Sequence, residues 1–276
     1  MLTRARQSVR YRDLLYNLVV RDLKVRYKHS VLGFFWSLLN PLLLMAVFTF
    51  VFTALLSGNT KPSYHIFFLC ALLPWTWCST SVAGSLTSIV GNGHLIKKVY
   101  FPREMLPVSV VLSNLMNYLL SLPALFIFMV FLRPGLSGSP FDATCTTVCI
   151  NGHLAWLPLL IVTQMIFLLG LGLLLSALNV FFRDTSVLVE VGLSAWFFLT
   201  PIIYDAKDVA GAYANLMYYL NPMASIIANY RDIFYYSSPG SPDPLFMLRT
   251  LITSSILLAI GYLFFMRVSK NFGEEI

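Results

Sequence analysis

From residue 31 onward, long apolar runs alternate with short polar segments. Val31–Leu56, Ile66–Val90, Met105–Leu132 and Leu154–Phe182 contain no charged side chain. Each exceeds the roughly 20 helical residues needed to cross about 30 Å of hydrocarbon. Two more runs follow. Ser186–Ile203 carries one charge, Glu190, and Thr250–Met266 is flanked by Arg249, whose long stem can snorkel to an interface. Six crossings predict an all-α membrane protein with both termini on one side.

The pattern differs at the two ends of this array. Between Tyr11 and Lys28, Tyr11, Leu14, Leu15, Leu18 and Val25 fall on one helical arc. Arg10, Asn17, Arg21, Lys24 and Lys28 fall on the adjacent arc. This spacing predicts an amphipathic helix lying in the interface. Residues 1–30 thus read as a cytoplasmic tail with its interface helix, and residues 31–276 as a six-helix transmembrane domain. After the fifth run, Tyr213–Tyr236 is interrupted by Asn221-Pro222, and its apolar stretches are too short to cross twice. Two short re-entrant or interfacial helices on the extracytoplasmic side are expected there. Pro41, Pro74, Pro107 and Pro123 lie in or at the ends of spans and should bend them. Ser81, Gly84, Ser85, Gly172 and Ser176 are small enough to let helices approach closely.

Composition supports lipid as the main solvent: 58% of the 276 residues are apolar and 11% charged, against about a quarter charged in soluble domains. The net charge of +7 does not point to nucleic acid, because 8 of the 19 Lys and Arg residues lie within the first 28 positions. A basic end beside membrane spans faces anionic lipid. The termini and the even-numbered loops hold fourteen Lys and Arg residues, and the other side holds Lys61, Arg133, Lys207, Arg231 and Arg249. The positive-inside rule therefore places both termini in the cytoplasm.

Candidate chemistry is sparse. No GxxxxGK[ST] phosphate loop, HExxH zinc motif or GxSxG nucleophile turn occurs. No catalytic residue and no metal site are expected, and His29, His65, His94 and His153 are scattered. Cys70 and Cys78 fall in an apolar run. Cys145 and Cys149 share the polar loop from Arg133 to His153, where their spacing suits either a disulfide or two free thiols.

Four segments invite functional readings. The basic arc with Arg10, Arg21, Lys24 and Lys28 is either a topological anchor or a receptor for the phosphates of an anionic, lipid-linked substrate. The loop Gly91–Glu104 is too short to fold alone, and Pro102 stiffens its approach to the next helix. It can present a defined surface to a partner. Glu190 lies near enough to an interface to pair with Arg183, beside Asp184, or with a cation of a neighbouring subunit. Seven Tyr residues from Tyr204 to Tyr236 fit either an interfacial belt or a lining on which sugar rings stack.

Four stretches carry a family resemblance: RDLKVRYKHSVLGFFWSLLNPLL at 21–43, LIKKVYFPREMLPV at 95–108, NVFFRDTS at 179–186, and FFLTPIIY with YLNPMASIIANYRDIFY within 197–235. In this order they resemble permease subunits of bacterial ATP-binding-cassette exporters of the type-2 class, in the branch exporting O-antigen, capsule and teichoic-acid polymers. The resemblance implies a homodimer of six-helix subunits around a channel in the cytoplasmic membrane, worked by two copies of a separate ATPase. ATP and magnesium would then belong to that partner, and no cofactor to this chain. It implies that His94, Leu95, Ile96, Lys97, Lys98, Val99, Tyr100, Phe101, Pro102, Arg103 and Glu104 form the coupling helix. Tyr204, Tyr218, Tyr219, Asn221, Pro222, Tyr230 and Tyr235 would belong to the extracytoplasmic gate and its aromatic lining. The implied cargo is a glycan on a polyprenyl diphosphate. Rival readings are the same machinery carrying a drug or simple lipid, an ion-coupled secondary transporter, and a membrane-embedded transferase. A secondary transporter should show midplane charges and internal repeats, and a transferase clustered acids or histidines. Neither pattern is present.

Overall fold

The computed structural model describes residues 11–28, 30, 33, 35–55, 63–98, 101–131, 152–236 and 243–272. Arg10, Val99, Tyr100 and the loop bearing Cys145 and Cys149 lie outside the described residues. Within them every regular element is helical, as the apolar periodicity predicts. α1 is Arg12–Tyr27. α2, Phe35–Phe50, ends in a π-helical turn, Val51–Leu55. α3 is Tyr64–Ser88, α4 the short Gly93–Lys98, and α5 Met105–Phe131. α6 is Leu157–Phe181 and α7 Thr185–Leu199. Three short helices follow: α8 Ala206–Ala210, α9 Ala214–Leu220 and α10 Pro222–Arg231, the last running into a π-helical turn, Asp232–Tyr236. α11 is Pro244–Val268.

Five helices are long and apolar enough to cross a membrane: Phe35–Leu55, Tyr64–Ser88, Met105–Val130, His153–Phe181 and Pro244–Asn271. The last begins six residues before Thr250, because Asp243 caps it by accepting from Leu245 N at 2.9 Å and Pro244 fits its first turn. Arg249 is thereby drawn inside the helix instead of flanking it. α7 has 15 residues, about 22 Å at 1.5 Å per residue, and stops short because the chain turns extended at Thr200-Pro201.

α3 is the centre of the bundle. It is apolar on nearly all sides, the signature of a helix enclosed by others. It packs on α2, α5, α6, α7 and α10, and Phe67, Phe68, Trp77 and Cys78 are fully buried. Polar side chains bridge the helices, as expected where hydrophobic burial gives no preference between protein and lipid. Gln164 Nε2 donates to Pro74 O at 2.8 Å and Asn179 Nδ2 to Leu86 O at 3.0 Å. The small residues act as expected: a Cβ on Gly84 would meet Val110 Cγ1 at 2.7 Å, and one on Gly172 would meet Ser85 Oγ at 2.9 Å. The most extensive helix pair, α6 with α11, is closer still. A Cβ on Gly170 would lie 2.6 Å from Leu258 N, and Gly261 abuts the Gly170 carbonyl.

Candidate functional site

At the end of the bundle that carries α4, a second apolar cluster forms away from the main core. Leu18 of α1, Ile89, Phe101 and Met105 meet Phe265 and Phe272 there. Tyr11, Leu14 and Leu15 pack against it, so the apolar arc of α1 docks as its spacing predicts. Val25 does not join them: it is 67% exposed, on the outer side of a last turn that Tyr27 holds to α5 by donating to Asn117 Oδ1 at 2.6 Å.

This cluster holds the described parts of the segment, Val90–Lys98 and Phe101–Glu104. Leu95 and Ile96 pack partly onto it, Phe101 is 7% exposed, and His94, Lys97 and Lys98 stand exposed on the outer side. Both ends are pinned. Arg21 Nη1 donates to Asn92 Oδ1 at 3.1 Å, while Asn92 Nδ2 donates to Ser88 O at 2.8 Å. Arg103 donates to Ser269 O and sits 5.8 Å from the Phe272 ring centroid. Pro102 and Glu104 are half-buried beside it. α4 is therefore a one-turn platform tied to α1 on one side and to the end of α11 on the other.

Of the predicted basic arc, Lys24 and Lys28 are exposed. Arg21 is occupied: its guanidinium contacts Asp22 Oδ1 at 2.9 Å as well as Asn92. The structure assigns it a bracing position between α1 and the turn before α4. Arg183, Asp184 and Glu190 are all exposed, and no ion pair joins Glu190 to Arg183 within the chain. The intrachain pairing expected from the sequence is absent because Arg183 lies in the turn before α7, whereas Glu190 is carried outward on a helix none of whose residues is buried.

At the opposite end, α8, α9 and α10 form the short helices expected around Asn221-Pro222. Asn221 is their hub. Its Oδ1 caps α10 by accepting from Met223 N at 3.1 Å and Ala224 N at 3.3 Å, and it also accepts from Trp196 Nε1 at 3.0 Å. Its Nδ2 donates to Thr200 Oγ1 at 3.0 Å. Pro222 starts α10 at the position where a missing N–H costs nothing.

The tyrosines do not form one lining. Tyr230 and Tyr235 are 0% and 4% exposed and belong to the main core, Tyr235 meeting Phe67 edge-on at 5.3 Å. Within the single chain their rings are taken up by helix packing. Tyr204 donates to Phe198 O at 3.0 Å, and Tyr219 is 63% exposed with the Arg249 guanidinium 3.6 Å from its ring centroid. Tyr218 is half-buried, and burial pushes its phenol up to about 12, with Asp205 adding to the shift and Arg231 opposing it.

Sequence reasoning missed the cation that organises this end. Arg231, 3% exposed, donates to Ile202 O at 2.8 Å and Tyr204 O at 3.0 Å and lies 3.7 Å from the Phe67 ring centroid. Burial lowers its pKa from the ordinary guanidinium value, opposed by groups that include Asp205. The signal was present: Arg231 lies four residues from both Ile227 and Tyr235, so it shares a helix face with core positions. Among the described residues no cluster of three or more His, Cys, Asp or Glu could hold a metal.

The model of one protein family, described as ABC-2 type transporter, matches residues 13–235, from α1 through the π-helical turn after α10. The chain belongs to the ABC-2 type transporter family. This ABC-2 chain is 37% identical over 277 residues to the O-antigen export system permease protein RfbA of Myxococcus xanthus, covering 100% of both. It is 33% identical over 264 residues to an O-antigen export system permease protein RfbA of Klebsiella pneumoniae, covering 95% of this chain and 94% of the relative. It is 22% identical over 251 residues to the polysialic acid transport protein KpsM of Escherichia coli, covering 88% and 90%. With its long apolar helices, this ABC-2 protein is a multi-pass membrane transporter subunit.

Proposed function

We propose that this chain is the channel-forming permease of an ATP-driven exporter that moves a lipid-linked polysaccharide across the cytoplasmic membrane. The full-length likeness to an O-antigen export permease, 37% identical with 100% coverage of both chains, carries the reading. α7 serves as the sixth crossing, completed by the buried turn after it, Thr200-Pro201-Ile202, and both termini are cytoplasmic. The cytoplasmic ATPase, in two copies, binds ATP and magnesium and seats on the α4 platform. A second copy of the permease completes the channel. The exposed apolar side of α7, with Val187, Leu188, Val191 and Phe198, suits such a partner, which would also supply the cation for Glu190. Lys24 and Lys28 receive the diphosphate of the polyprenyl-linked glycan at the interface, while α8 to α10 gate the far side.

Deleting the gene tests this reading. Surface polysaccharide should vanish while lipid-linked glycan accumulates on the cytoplasmic side, and a plasmid copy should restore export. Undiminished surface polysaccharide in the deletion strain overturns it.

A further inference from the structure

A cavity of about 320 Å³ opens between α1, α2, α3 and α5, within the roughly 300–1,000 Å³ of pockets that take small ligands. Asn114 and Asn117 of α5, Asn40 of α2, and the rings of Tyr27 and Trp36 line it, with Arg26 as the one charged side chain among the described lining residues. Its depth is unusual for such polar walls. Asn114 sits about 14 Å along α5 from its first residue, at 1.5 Å per residue, well inside a candidate membrane span.

Asn114 is 1% exposed, and neither its Oδ1 nor its Nδ2 has a hydrogen-bond partner among the described residues. Asn117 Oδ1 accepts from Tyr27 OH at 2.6 Å, but its Nδ2 has no partner. Buried amides in native proteins are normally satisfied; these atoms show almost no surface, so a guest in the cavity would satisfy them by drawing the two side chains toward it. A lipid tail would leave them unpaired. An anion would meet neutral amides and one rim cation. A pyranose ring supplies alternating hydroxyl donors and acceptors for paired amides and a flat C–H face for an aromatic ring. Trp36, 48% exposed at the cavity, provides such a ring, and Arg26 is placed to meet a phosphate next to the first sugar.

Resting on the exporter reading above, we infer that this cavity is a sugar subsite that holds the first sugar beside the lipid diphosphate, with Asn114 and Asn117 as its hydrogen-bonding residues and Trp36 as its stacking platform. It would distinguish a glycosylated carrier from the bare carrier before transport.

The full-length chain in lipid nanodiscs can be titrated with two radiolabelled probes, undecaprenyl diphosphate carrying one N-acetylglucosamine and undecaprenyl diphosphate alone. The subsite predicts about tenfold tighter binding of the glycosylated probe, or about 1.4 kcal/mol. Trp36→Ala and Asn114→Leu should each remove most of that difference and leave the bare probe's affinity unchanged. Trp36→Ala alters an exposed side chain, so the test holds even if Asn114→Leu fails to fold. Equal binding of both probes to the unaltered chain means a hydrated cavity only and overturns the subsite. Discrimination that persists in Trp36→Ala overturns it as well, placing sugar recognition elsewhere. Neither outcome touches the exporter reading, which the deletion strain tests separately through surface polysaccharide.

Discussion

At the scale of single residues, buried polar side chains decide more than the numerous apolar ones. Arg231 replaces the missing backbone donors for Ile202 O and Tyr204 O, where the chain has left α7 and cannot form helical hydrogen bonds. Desolvating the guanidinium is costly, but its two charge-assisted bonds and the Phe67 face repay part of that cost. Arg231→Leu leaves two carbonyls unpaired, and each orphaned buried group costs about 1–3 kcal/mol. The thermal unfolding midpoint of the purified chain in detergent should fall clearly. Arg231→Lys should recover only part of the loss, because an ammonium cannot reproduce the two-pronged fork. A midpoint unchanged in Arg231→Leu would show that these bonds contribute nothing net. Residues of this kind were the least legible in the sequence. Arg231, Asn114 and Asn117 look like ordinary polar positions until the fold shows what faces them, whereas Asn221 before Pro222 announces a helix start by local chemistry alone.

At the scale of helices, the sequence was far more readable, because lipid imposes a length and an absence of charge that any long span must show. The four uncharged runs all became helices, and the apolar arc of α1 docked through Leu18. Two features were illegible. α7 is shorter than its apolar run because Pro201 cannot supply the N–H that would continue the helix. The α6–α11 contact depends on Gly170 and Gly261, which lie 91 positions apart, and pattern within one helix says nothing about its neighbour. Gly261→Leu would drive a side chain into the Gly170 backbone. Overpacking costs about 1–3 kcal/mol, and more is expected where backbone atoms block relief. Reduced yield of folded protein and a lowered unfolding midpoint are the expected results. Ser255→Leu, at an exposed position of the same helix, is the control and should leave both unchanged. Equal behaviour of the two variants would mean that α6 and α11 do not pack at these glycines.

At the scale of the whole molecule, the two ends of the bundle are joined by rigid elements that share α11. The platform end is tied to it through Arg103 at Ser269 and the Phe272 ring, and the end with α8 to α10 through Arg249, which donates to Tyr218 O at 2.9 Å. On the proposed seating of an ATPase against α4, a push there would reach the far side along one helix that is itself locked to α6. This route requires a stiff platform. Phe101→Ala removes the side chain that seats the segment in the second apolar cluster, and Arg103→Gln removes the tie to the end of α11. Both leave the exposed face of α4, with His94, Lys97 and Lys98, available to the ATPase. In the reconstituted complex, hydrolysis should continue in these variants while glycan exported per ATP falls severalfold. Lys98→Glu alters the exposed face itself and should instead weaken ATPase association, seen as loss of co-purification. If hydrolysis and export stay in their normal ratio in Phe101→Ala and Arg103→Gln, the force is transmitted through some other contact, and the α4 platform is only a topological turn.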